Sequence, residues 1–431
     1  MSITDHLIDF CNAPAPDDAR NMMRLSMFDW AACGIAGVED AGFADFKDIM
    51  LSQTGPGEAT MLGGGQNCAA SAALFNGTVS HALDFDDTHF AHIGHPSVAV
   101  VPAVLAIVER EGLDFEAALD AALIGVEASI HVGLWLGRSH YQIGFHQTAT
   151  AGAFGATLAA ARLLHLADDQ IRHALGLCAS LASGVKAQFG TGGKPLNAGL
   201  AARSGVEAAL WAQGGLTACA DGLAAPLGFG ATHHGAQDET YLPSMGQSPW
   251  QILKISHKFH ACCHGLHAML EALAATQMDA TEIDKIVVHT HPRWMSVCNK
   301  PDPETGLAAK FSYRHTAAMA LLGKSTAQRA MFSDAVACDP DVVALRQKVV
   351  VSESSDLSEM QANVQVVLLS GEMIDLTHDL SVRLPHAVLT EKLRNKVENL
   401  LGGESEERLW QAVNAGDLPS FLATLGESNR R

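Results

Sequence analysis

From Thr4 to Leu223 apolar residues recur at intervals of three and four, the period of helices with one buried face. The pattern is plainest in Phe115–Leu136, Thr148–Leu164 and Gln170–Gly184, where Ala and Gly are so frequent that helix axes can approach closely. A polar stretch with Pro and Gly, Asp238–Trp250, reads as a linker. After it come a helix near Cys262–Ala275 and β-branched runs at Asp284–His291, Gln347–Ser354 and Asn363–Thr377. The last run reads as a hairpin turning at Ser370–Gly371. From Leu389 the helical period returns, so the C-terminus is expected back on the first domain. The fold class predicted is mainly α with a smaller α+β domain.

At about 150 residues per domain, 431 residues suggest two or three domains. A hydrophobic share of 48% with only 17% charged residues excludes a disordered chain. The balance of 28 basic and 47 acidic residues, 28 − 47 = −19, argues against nucleic acid or an anionic membrane as partner. A small anionic substrate stays open, provided a few cations converge. The start, MSITDHLIDF, has no basic leader region. Arg162, Glu109 and Asp120 interrupt the most apolar stretches, so no membrane span is expected. Nine cysteines without a C-x-x-C pair read as reduced thiols of a cytoplasmic protein.

Several familiar motifs fail. No G-x-G-x-x-G follows a strand, and G-x-S-x-G is absent. Gly190–Pro195 (GTGGKP) resembles a phosphate loop, but Pro195 occupies the place of the Mg²⁺-binding hydroxyl.

Five segments carry the chemistry. His81–Ser97 packs Asp84, Asp86, Asp87 and four histidines (His81, His89, His92, His95) between two apolar helices. It can be read as a capped acidic loop, as a metal site from His89, His92 and His95 with an aspartate, or as an acid–base centre. His140–Thr148 offers two histidines and Tyr141 ahead of another helix. In Phe189–Gly199 consecutive glycines can turn N–H groups inward as an anion nest, with Lys194 adding charge and Pro195 suiting a first helical turn. His257–His267 contains Lys258 and His260, and Ala309–Ala318 contains Ser312 and His315.

In this order the segments HALDFDDT with HPS, GFHQT, GTGGKP with AARSGV, KFHACCHGLHA and KFSYRHTAA resemble the signatures of the 2-methylcitrate dehydratase superfamily, the MmgE/PrpD family. The resemblance runs from about Asp5 to Leu401. It implies a helical domain from both chain ends, 1–254 and 388–431, and an inserted α+β lid, 255–387. It also implies a homodimer that needs no cofactor or metal and acts on small di- or tricarboxylates. By position it assigns Asp84, His95, His146 and His315 to catalysis, and Thr88, Tyr141, Lys194 and Lys258 to substrate binding.

Three departures stand out. His315 lies where the decarboxylase branch generally carries Tyr, and the loop from Thr88 to His95 is about one residue longer. Ala261 replaces the proline of the family's K-x-[FY]-P stretch. The first departure counts against decarboxylation of cis-aconitate. The leading expectation is a dehydratase resembling 2-methylcitrate dehydratase, working by proton abstraction α to a carboxylate. An epimerase of a substituted succinate, like iminodisuccinate epimerase, is the alternative, followed by a cis-aconitate decarboxylase and by a non-catalytic carboxylate binder.

Overall fold

Small side chains set the helix spacing in the first part of the chain. The computed structural model describes residues 1–40, 42–53 and 55–427. It opens with α1 (Ile3–Cys11), α2 (Asp17–Val38), α3 (Ala44–Ser52) and α4 (Ala69–Ser80). There follow α5 (Ser97–Glu111), α6 (Phe115–Ile143), α7 (Gln147–Leu163), α8 (Asp168–Leu181) and α9 (Gly193–Gln213). Gly77 of α4 meets Gly199 of α9 almost backbone to backbone. A Cβ on Gly77 would lie 2.9 Å from the Gly199 Cα, and one on Gly199 would lie 2.2 Å from the Leu74 carbonyl oxygen. No larger residue fits at either position, so this contact fixes where the N-terminal turn of α9 stands relative to the end of α4.

α6 is long and apolar enough to cross a bilayer, contrary to the expectation that charges break every such stretch. Its most apolar window is 89% buried inside the protein, as in the core helix of a bundle. Gly137, at φ 72°, breaks the regular helix before its last turns. Two short strands, Ala59–Thr60 and Gln66–Asn67, pair antiparallel where the sequence showed no strand signal. Trp30, Trp135, Phe28, Phe75 and Phe154 are fully buried in the core.

The chain divides into two compact units, with breaks at His257/Lys258 and Leu400/Leu401. The polar stretch Asp238–Trp250 lies inside the first unit, with a 3₁₀ turn at Glu239–Ser244. The second unit contains α10 (His267–Ala274), β1 (Ile283–Thr290), α11 (Tyr313–Leu321) and α12 (Pro340–Arg346). It continues with β2 (Val349–Glu353), β3 (Gln361–Leu368), β4 (Met373–Asp379) and most of α13 (His386–Leu401). The sheet order is β2-β1-β3-β4, with β1 and β2 parallel and the other pairs antiparallel. Period-two alternation buries Ala362, Val364 and Val366 of β3, and Gly371 at φ 88° makes the hairpin turn.

The last helices, α14 (Gly403–Ala415) and α15 (Leu418–Gly426), belong to the first unit. Arg24 donates to the Val413 carbonyl at 2.6 Å, and Phe421 stands edge-on to Phe115. With 58% helix and 9% strand, the protein is mainly α with a smaller α+β part.

Candidate active site

The loop joining α4 to α5 departs from ordinary backbone twice, at Asp84 (φ 51°) and Ile93 (φ 55°). Aspartate tolerates the left-handed region, whereas a β-branched residue there is strained and persists only when its surroundings hold it. Here they do. His89 N–H donates to the Gly94 carbonyl and Ile93 N–H to the His89 carbonyl, both at 2.9 Å, closing a tight turn. The His92 ring fills a slot in α6 left by Gly133, whose Cβ would lie 1.9 Å from His92 Nδ1. Thr88 exchanges backbone hydrogen bonds with Ser256, at 2.9 and 2.8 Å, which anchors the loop's middle. His95 N–H then donates to the Thr148 hydroxyl at 3.1 Å.

His89 and His92 are therefore core residues. Burial lowers both to about 3, so they are neutral at ordinary pH. The metal site considered for His89, His92 and His95 is not assembled. Among the described residues, the group whose donor atoms gather within 4.8 Å is His81, Asp84, Asp86 and His95.

Asp86 is the centre of that group. It is fully buried, and its two oxygens accept from two imidazoles: His81 Nδ1–H to Oδ1 at 2.9 Å, His95 Nδ1–H to Oδ2 at 2.7 Å. Burial alone would raise the Asp86 carboxyl. The charge and hydrogen bonds of His81 and His95 outweigh it and hold the group well below the usual carboxylate range. Because both rings donate through Nδ1, both carry their lone pair on Nε2 when neutral. His95 Nε2 lies 3.4 Å from Asp84 Oδ1, and the same oxygen accepts from Lys194 Nζ at 2.7 Å. A metal ion bound at Asp84 Oδ1 would have to displace the Lys194 ammonium that this oxygen already holds.

Asp87 behaves differently from its neighbour. Burial and the nearby Asp86 and Asp29 raise it to about 7 against the opposing effect of Ser97, whose hydroxyl donates to it at 2.5 Å at the start of α5. It is a structural carboxyl that pins α5 to the loop.

Lys194 lies in the first turn of α9, and its ammonium is also 5.6 Å above the Phe189 ring. The open anion nest expected of the glycine run does not form. Gly193 N–H donates to the Thr191 hydroxyl and Lys194 N–H to the Thr191 carbonyl, both at 3.1 Å. What the loop presents is a single ammonium. His146, the residue before α7, is almost completely buried. Its ring lies 6.1 Å from that of His81 and 5.0 Å from that of Phe189. Its Nδ1 is 3.3 Å from Asn197 Nδ2. Burial, then the charge of Lys194, keeps His146 well below its ordinary value.

The structure thus brings Asp84, His95, His146 and Lys194 together in the first unit. Thr88 sits on the same loop, with its hydroxyl donating to the Ser256 carbonyl at 3.3 Å. Tyr141 instead accepts a hydrogen bond from Lys186 at its carbonyl, with the Lys186 ammonium 3.8 Å from its ring centre. In the second unit Lys258 is buried, and its charge acts on Cys262, Cys298 and His267. His315, on α11, is buried with both ring nitrogens lacking a hydrogen-bond partner. Burial and Arg346 lower it to about 4.

The sequence reading placed His81 and Asp86 in the candidate segment without assigning them to the site, and it missed Asn197. For Asn197 a signal existed: it lies three residues after Lys194, on the same helix face.

Residues 2–241 match the MmgE/PrpD N-terminal domain and residues 260–417 the MmgE/PrpD C-terminal domain. The cis-aconitate decarboxylase of Aspergillus terreus is 25% identical over 430 residues, covering 91% of this chain and 87% of the relative. The human cis-aconitate decarboxylase is 28% identical over 387 residues, covering 82% and 78%, and the mouse protein 29% identical over 306, covering 66% and 61%. With both domains matched in order along most of its length, the chain belongs to the MmgE/PrpD family.

Proposed function

We propose that this protein is a lyase of small di- or tricarboxylates that needs no cofactor and eliminates water after proton abstraction α to a carboxylate. The observation that carries the reading is the pair of imidazoles sharing Asp86, with a lysine ammonium held beside them. A C–H next to a carboxylate is weakly acidic because its removal makes an enediolate-like dianion. A positioned base and a fixed cation lower that barrier. His95 Nε2 is the base, and Asp86 stabilises the imidazolium that forms. Lys194 exchanges Asp84 for the substrate carboxylate. The proton taken by His95 passes to the departing β-hydroxyl, so substrate becomes alkene plus water and His95 returns to neutral.

Decarboxylation is the second reading, favoured by the names of the curated relatives. The same groups would serve it with the proton running the other way: a His95 imidazolium gives its proton to carbon as the C–C bond to the departing carbon dioxide breaks, and Lys194 holds a remaining carboxylate. A second copy of the chain as partner is supported by the exposed Leu200 and Trp211 on one face of α9.

The test is incubation in D₂O with a panel of hydroxylated tri- and dicarboxylates and with cis-aconitate. Alkene absorbance without carbon dioxide supports dehydration. Carbon dioxide release from cis-aconitate replaces that reading with the second. α-Deuteration without alkene would mean epimerisation, and no exchange with any member of the panel would overturn the lyase reading.

A further inference from the structure

His146 and His95 both lie against His81, with ring centres 6.1 and 4.6 Å from it, yet their hydrogen-bond partners prescribe opposite tautomers. His95 gives its Nδ1–H to Asp86. His146 Nδ1 meets Asn197 Nδ2, an amide that can only donate, so that ring nitrogen must accept. The orientation of the Asn197 amide has a second support, since Nδ2 also lies 3.5 Å from the Val185 carbonyl oxygen. Turning the amide over would set its oxygen against that carbonyl. The frame around the contact is fixed as well. His146 N–H donates to the Gly184 carbonyl at 3.0 Å, Phe145 bridges to Val185, and Asn197 sits one turn beyond Lys194 on α9.

We infer that Asn197 is a positioning residue that holds His146 as the neutral Nε2–H tautomer, making His146 a hydrogen-bond donor to a substrate carboxylate oxygen and not a second base. This rests on the carboxylate-site reading above. The division of labour follows from chemistry. A neutral imidazole with its proton on Nε2 has no lone pair there to take a proton, and giving that proton up entirely would leave an imidazolate. What it can do is strengthen a hydrogen bond as negative charge grows on the oxygen it touches. The surroundings keep it neutral: burial and the Lys194 ammonium oppose a charge on His146, with His81 and His95 adding to them and only Asp84 acting the other way. His95, paired with Asp86, is the ring equipped to become a cation.

The test uses uniformly ¹⁵N-labelled full-length protein and long-range ¹H–¹⁵N spectra of the imidazoles, with the His146 signals assigned by their loss in His146→Gln. The expected wild-type pattern is protonated Nε2 and bare Nδ1. In Asn197→Asp the carboxylate accepts from Nδ1, so the pattern should reverse and the pH at which His146 titrates should rise. Turnover should show about a hundredfold loss in kcat with little change in KM, the scale for removing one transition-state donor. A wild-type His146 protonated on Nδ1, or an unchanged pattern in Asn197→Asp, would overturn the inference. So would a reversed pattern with undiminished kcat. If Asn197→Asp does not fold, the wild-type spectrum alone decides the tautomer. A correct tautomer in a protein inert to every polycarboxylate would count against the proposed function and leave the tautomer assignment standing.

Discussion

Replacing Asp86 with asparagine keeps its shape and removes one buried negative charge. The amide has one oxygen for two imidazole donors, so it can serve only His95 or His81; the other ring must turn its proton to Nε2. Suppose the oxygen stays with His95, the closer partner at 2.7 Å. His95 then keeps its basic Nε2, but the imidazolium formed during turnover faces a neutral amide. With roughly 4 Å between charge centres and an effective dielectric of about 20, the lost attraction is about 4 kcal/mol. Exchanging a charge-assisted for a neutral hydrogen bond adds about 1 kcal/mol. Structural relaxation would recover part of this, so ~3–5 kcal/mol is the expected loss, a fall in kcat of about 10²- to 10⁴-fold. Stability should fall as well, because the depressed Asp86 carboxyl means that its two imidazole partners stabilise the charge by more than burial costs. The sign for pH follows directly. Removing an anion disfavours the cation, so the acid limb of kcat/KM should shift to lower pH. The assay is steady-state turnover across pH for Asp86→Asn and wild type, with thermal unfolding as the folding control. A variant that folds normally and keeps kcat within about threefold of wild type would refute the assignment of Asp86 to the working imidazole.

Lys194→Met should lower kcat/KM by about thirty- to a thousand-fold, since it deletes one fixed cation from a partly enclosed site; wild-type kcat/KM on the true substrate would show that Lys194 is not the clamp. Activity should survive exhaustive treatment with EDTA, because Asp84 Oδ1 is already held by the Lys194 ammonium; loss on chelation with recovery on adding back one metal would reverse that reading. For stability, His89 and His92, lowered to about 3, take up protons more readily when unfolded, so together they should destabilise the fold by ~4 kcal/mol between about pH 7 and about pH 5. Asp87, raised to about 7, takes up its proton in the folded state and offsets ~2 kcal/mol, so the loss of unfolding free energy between about pH 7 and about pH 5, read by urea titration, should be ~2 kcal/mol larger in Asp87→Asn than in wild type; equal losses would show that Asp87 is not protonated in this range.

The elements with a clean period were the legible ones. The helices at Thr148–Leu164 and Gln170–Gly184 lie within a few residues of the observed α7 and α8, because a face of small apolar side chains recurs without interruption. The hairpin of β3 and β4 was readable from its alternation and from Gly371. The helix read as Phe115–Leu136 ends where the regular helix does, at Gly137 (φ 72°), and a short further helix continues to Ile143. The glycines before Lys194 were misread: glycine permits a nest, but Thr191 takes up the N–H groups that would line it. Within His81–Ser97 the chemistry was visible and its allocation was not. Which of three aspartates points inward depends on the left-handed turn at Asp84, and a backbone turn of that kind leaves no periodic trace. Asp84 was chosen from sequence, whereas Asp86 bridges the imidazoles.

Those three aspartates show how little of a side chain's behaviour resides in its type. Asp84 is partly exposed and shared between Lys194 and His95. Asp86 is buried and ionised because two N–H donors converge on it, one for each oxygen. Asp87, equally buried, accepts from Ser97 and has two other carboxylates nearby, so it holds its proton to about 7. Two adjacent buried anions would repel strongly in this interior, and protonating Asp87 removes that repulsion while keeping its hold on Ser97. The negative charge buried on the loop is thereby concentrated on Asp86, between the rings that need it. The base next to Asp86 gains a buried counter-ion, while the other carboxylate beside it, Asp84, is held by the Lys194 ammonium. This arrangement depends on Ile93 staying in a strained conformation and on Gly133 leaving room for His92, neither of which touches the Asp86 group. Filling the Gly133 slot should therefore act on His95 from a distance, by releasing the turn that delivers it to Asp86.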